Sequence, residues 1–141
     1  LKIYMEDKSL NSVRMGQSQE QAKKHEEDRR KRNDFENEYP ELASAFKKIQ
    51  EEQYNTFANK MLSYGLGNIG VGSESVQTDE QKYLSLAGIW YRVNDKIQRL
   101  KNLVLLRKRN PLEDEPVIDA WKDLSVYGII AQIVDLGKWK K

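Results

Sequence analysis

The stretch "SLAGIWYRVNDKIQRLKNLVLL", Ser85–Leu106, sets the fold class. Its apolar residues Leu86, Ile89, Val93, Ile97, Leu100 and Val104 recur at spacings of three and four, the signature of one apolar stripe along an α-helix. Working outward, "RKRNPLEDEP" ends this helix with two prolines in a short turn. Pro116 is then well placed in the first turn of a further helix through "VIDAWKDLSVYGIIAQIV". Beyond Ser125 that helix is apolar on all sides, which predicts the central helix of a small bundle.

Upstream, Pro40 opens another helix to about Met61, with Leu42, Phe46, Ile49, Gln53 and Phe57 on one face. "SYGLGNIGVGSES" follows, and its four glycines between Gly65 and Gly72 predict a helix end and a flexible connector. No region shows sustained strand alternation. The expected fold class is all-α: a small antiparallel helical bundle over residues 35–141. Residues 1–34 predict a polar arm, helical or disordered, because the six basic and six acidic residues between Glu20 and Glu36 are well mixed and offer no core.

The chain has 141 residues, a net charge of +2 and no cysteine, so thiolate zinc and cysteine chemistry are excluded. That charge is too small for the footprint of a protein whose main partner is a nucleic-acid backbone. A single histidine, His25, in a polar segment argues against a two-His metal site. The sequence begins at Leu1 rather than Met, as a fragment or a chain with an unusual start would. With no apolar run near 18 residues and no signal-peptide pattern, the expectation is a cytoplasmic protein without a membrane partner.

Chemistry must therefore fall to carboxylates, amines and guanidiniums. Glu115, Asp119 and Asp123 are four residues apart, so each step advances about 40° around a helix and about 6 Å along it. Like charges in such a stripe oppose one another by a few tenths of a kcal/mol per pair. Either water and local bases compensate them, or a divalent cation does; Mg²⁺ favours such hard oxygen ligands. Asp95 on the preceding helix would join Glu115, Asp119 and Asp123 as ligands, with Asp119 and Asp123 the candidate catalytic carboxylates. Arg92, Lys96 and Arg99, beside the apolar stripe of that helix, are either intrahelical ion-pair partners or holders of phosphate oxygens. Tyr64 and Trp90 are either base-stacking aromatics or core side chains, and Tyr64 is the candidate for the nucleotide site.

Three blocks read together, "NKMLSYGLGNIGVGS", "LAGIWYRVNDKIQRLKNLV" and "DEPVIDAWKDLSVYGIIAQIV", resemble the nucleotide-modification-associated domain, type 1, of phages and bacteria. The resemblance covers roughly residues 35–141. It implies a place in the synthesis or handling of modified deoxynucleotides, with a nucleotide or deoxynucleotide as partner. Carried over position by position, it rests on Tyr64, Gly65, Arg92, Asp95, Lys96, Arg99, Glu115, Asp119, Asp123 and Tyr127, while Ala120 stands where the family has Thr. More loosely, the layout is similar to MazG-like all-α nucleoside triphosphate pyrophosphohydrolases, which set Glu-x-x-Glu and Glu-x-x-Asp pairs around Mg²⁺. Here Glu115 and Asp119 are one residue further apart, and the first helix offers only the adjacent Glu51 and Glu52. The alternatives are a non-catalytic nucleotide sensor or sequestering protein, and a helical protein-interaction adaptor; self-association as a homo-oligomer is compatible with each.

Overall fold

The structure, a computed structural model, describes the backbone of residues 2–141 and the side chains of residues 12–141. Its elements are α1 (Lys2–Glu38), α2 (Pro40–Tyr64), α3 (Asp79–Leu100), a π-helical turn (Lys101–Leu105) and α4 (Val117–Asp135). There is no strand among the described residues, so the chain is all-α. None of the helices in this part is long and apolar enough to cross a membrane. The chain divides into two compact units, Leu1–Ile49 and Gln50–Lys141.

In the first unit the polar arm is helical, as one of its two expected forms. Pairs such as Lys31 with Glu27 at 2.7 Å and Arg29 with Glu26 at 2.6 Å occupy its exposed surface. At this exposure water and salt screen them, and they add little to the helix's stability. Pro40 has no amide hydrogen, yet Tyr39 N–H donates to Phe35 O and Ala43 N–H to Tyr39 O, carrying helical bonding past it. The stripe expected on α2 is not covered here: Leu42, Phe46 and Ile49 are 60%, 62% and 53% exposed.

The second unit holds the core. Ile69, Val76, Ile89, Ile130, Val134 and Trp139 are buried together, and Phe57, Met61, Leu86 and Val126 pack against them. Helix α3 starts with a reciprocal cap, Thr78 Oγ1 accepting from Gln81 N–H at 3.2 Å and Gln81 Oε1 from Thr78 N–H at 3.2 Å. It runs antiparallel to α4. Lys82 near its start donates to Asp135 O at the far end of α4, while Arg99 near its end reaches Glu115 just before α4 begins.

Two expectations are corrected in this unit. Beyond Ser125, helix α4 is not enclosed on all sides, since Ile129 is 48% exposed and only Ile130 and Val134 are buried there. A single packed face suffices because α3 is its main helical neighbour. The glycine-rich segment is not a loose connector either. Ile69, Gly70 and Val76 are buried in it, and Val76 N–H donates to Trp139 O at 3.0 Å.

Ser85 is fully buried in α3, and its hydroxyl has no hydrogen-bond partner. Burying an unpaired hydroxyl costs about 1–3 kcal/mol, and alanine is also the better helix former. Ser85→Ala is therefore expected to stabilise the protein by about 1 kcal/mol. In urea it should raise the unfolding midpoint with no change in slope; a lower midpoint would show that the hydroxyl has a partner.

Candidate functional site

The antiparallel packing of α3 on α4 decides where the charged residues of Gln50–Lys141 meet. Positions 92, 96 and 99 follow one another at four and three residues, so they project from one side of α3. Each is tied to a different part of the unit.

The Arg92 guanidinium donates to Asn68 Oδ1 and to Asn68 O, both at 3.1 Å, and so clamps the glycine segment to α3. Lys96 Nζ lies 2.8 Å from Asp123 Oδ2, with both side chains about two-thirds covered. The hydrogen bond that Lys96 donates to the Asp123 carboxylate raises the Lys96 pKa above its ordinary 10.5, overriding the opposing effect of burial. The ammonium therefore stays charged well into the alkaline range. Arg99 donates one Nη to the Glu115 carboxylate and the other to the Glu115 backbone carbonyl. This is a fork that lysine could not reproduce.

The acidic stripe thus meets the bases of α3 at two of its three positions. Glu115 and Asp123 are paired, while Asp119 and Asp95 are exposed. Among the described residues, no three acidic or histidine side chains gather in a way that could hold a metal ion. Asp95, Glu115, Asp119 and Asp123 are therefore spread along α3, α4 and the residues just before α4 rather than gathered at one point. Tyr64, at the end of α2, is 66% exposed. Ala120, standing where the resemblance expects Thr, is 2% exposed, so its place is a packing position.

Sequence reasoning missed a set of residues just beyond α3. The π-helical turn and the segment after it form an open cleft of about 400 Å³, mostly apolar in its lining, to which Arg99, Asn102, Lys108 and Arg109 also contribute. The local signal was "RKRN", Arg107–Asn110, which reads in one dimension as the start of a helix-breaking turn. Asn110 organises this turn by donating to Glu115 O at 3.0 Å and accepting from Leu112 N–H at 3.2 Å. No family model, curated protein or solved structure matches the chain.

Proposed function

We propose that the Gln50–Lys141 unit is a nucleotide-binding domain acting on a nucleotide or deoxynucleotide in phage or bacterial deoxynucleotide metabolism, including its modified forms. One observation supports this reading above the others. Arg92, Lys96 and Arg99 bring the three sequence blocks that carry the resemblance onto one charged face, through Asn68, Asp123 and Glu115. Arg92, whose partners on Asn68 are neutral, keeps its charge for phosphate oxygens, while Lys96 and Arg99 would exchange Asp123 and Glu115 for phosphate on binding, Arg by its fork and Lys as a point charge.

The pairing of Glu115 and Asp123 with bases favours binding over hydrolysis, and so a sensor or sequestering role over a Mg²⁺-dependent hydrolase. The test is thermal stabilisation by a panel of nucleotides and deoxynucleotides with and without Mg²⁺, while phosphate and pyrophosphate release is followed. A ligand present at 100 times its dissociation constant stabilises the folded state by about 2.7 kcal/mol, a shift of several degrees. The expected result is such a shift without Mg²⁺ and without product release. A shift that requires Mg²⁺, with product released, would restore the hydrolytic reading and the carboxylate site. No shift with any ligand would sink both.

The exposed Leu42, Phe46 and Ile49 face favours a second reading, that of a helical protein-interaction adaptor, since apolar patches of this kind mark partner sites. An adaptor would show no nucleotide-dependent stabilisation at all.

A further inference from the structure

The chain turns where α3 ends, and that turn builds a second site that adjoins the strip on α3 at Arg99. Leu106 N–H donates to Lys101 O at 3.0 Å, closing the wide π-helical turn, and Lys108 N–H reaches back six residues to Asn102 O at 3.0 Å. Between them Arg107 adopts φ 50°, the left-handed seat that glycine usually fills at a helix end. An arginine there costs about 1 kcal/mol relative to a right-handed conformation. π-Helical turns and strained backbone of this kind cluster at functional sites.

The cleft they form is open and mostly apolar in its lining, with Leu103, Pro111 and Leu112 among its residues and Arg99, Asn102, Lys108 and Arg109 as its cationic and amide members. The Arg99 charge is matched by Glu115, yet Arg99 Nε is buried with no hydrogen-bond partner. Lys108 and Arg109 are exposed members of the lining and offer two cations to a phosphate monoester dianion. Its volume of about 400 Å³ lies in the range of small-molecule sites.

We propose that this cleft binds a nucleoside monophosphate. Lys108 and Arg109 hold the phosphate, the Asn102 amide hydrogen-bonds the ligand, and the base or sugar lies against Leu103 and Leu112. The proposal rests on the nucleotide-binding reading and adds to it the place of the phosphate and the ligand class.

Isothermal titration of the full chain with the four deoxynucleoside monophosphates tests it, beside the matching deoxynucleosides, the Lys108→Ala plus Arg109→Ala variant and Arg92→Ala. The Lys108 and Arg109 side chains are exposed, so the double variant should keep the circular dichroism of the parent. The expected result is monophosphate binding that weakens about 100-fold in the double variant, roughly tenfold for each cation, and at least tenfold for the deoxynucleoside. Affinity within twofold of the parent in the double variant would overturn the cleft. If binding then falls in Arg92→Ala instead, the nucleotide reading stands and its site is the α3 strip. Failure of the parent chain to bind any monophosphate would overturn the cleft, while the nucleotide reading would fall only if the di- and triphosphates of the wider panel also gave no stabilisation.

Discussion

Trp139→Ala is expected to cost the Gln50–Lys141 unit about 3–5 kcal/mol, the range for emptying a buried aromatic site. Trp139 is the third residue from the end of the sequence, beyond α4, yet it is 2% exposed and belongs to the core. Three segments close around it. Its indole N–H donates to Leu66 O at 3.0 Å, its own carbonyl accepts from Val76 N–H, and its ring meets that of Phe57 edge-on at 6.3 Å.

The polar part of the loss is the smaller one. Leu66 O also accepts from Gly70 N–H at 3.0 Å, so the carbonyl keeps a partner when the indole is removed. Most of the cost is therefore the cavity, which the glycine segment can fill only by leaving its place. Domains of this size are stable by about 5–15 kcal/mol, so a loss of this order leaves little margin. Urea unfolding followed by near-ultraviolet circular dichroism measures it. Trp139→Phe, which keeps most of the apolar body, should lose less than half as much. A Trp139→Ala chain within 1 kcal/mol of the parent would show that the tail is not part of the core.

Gly70→Ala should be the next most damaging change, at about 2–3 kcal/mol, the upper part of the range for forcing extra volume into packed surroundings. A Cβ at position 70 would lie 2.1 Å from Ser73 O and 3.1 Å from Ser73 C, both backbone atoms that no rotamer change can move aside. Gly70 O accepts from Ser73 N–H at 3.0 Å, and Gly70 N–H donates to Leu66 O at the same length. Relieving the clash opens this turn and pulls on Ile69 and Val76, which are 5% and 0% exposed.

Gly16→Ala is the matching control. Position 16 lies within α1 with open space around it, so alanine there should stabilise the helix by up to about 1 kcal/mol. The contrast is read from urea midpoints of the two variants. Equal and small effects would mean that the glycine segment is a slack connector after all.

These two positions also mark how far the sequence is legible. A glycine on an exposed helix and a glycine pressed against a carbonyl look alike in one dimension, because the clash comes from a chain reversal three residues on. The α3 helix, by contrast, could be read directly: its apolar period and its Thr78–Gln81 start signal lie within a few residues of one another. The candidate site falls between these cases. The positions of Arg92, Lys96 and Arg99 on one face follow from spacing, but the partners Asn68, Asp123 and Glu115 are 24, 27 and 16 residues away. Lys108 and Arg109 were hidden for the same reason, since "RKRN" becomes the wall of a cleft only where the π-helical turn folds it back.

By itself, then, the sequence determined the all-α class and the approximate spans of α2, α3 and α4, because hydrogen bonding, capping and apolar period act within one or two turns. Helix α1, with no apolar period, stayed open between helix and disorder. Only the tertiary structure decided which apolar stripes were covered. It left Leu42, Phe46 and Ile49 open while drawing Trp139 into the core, and it matched the acidic residues entering α4 with the bases of α3. Those choices depend on which surfaces meet, and burial and charge pairing are set by neighbours that are distant along the chain.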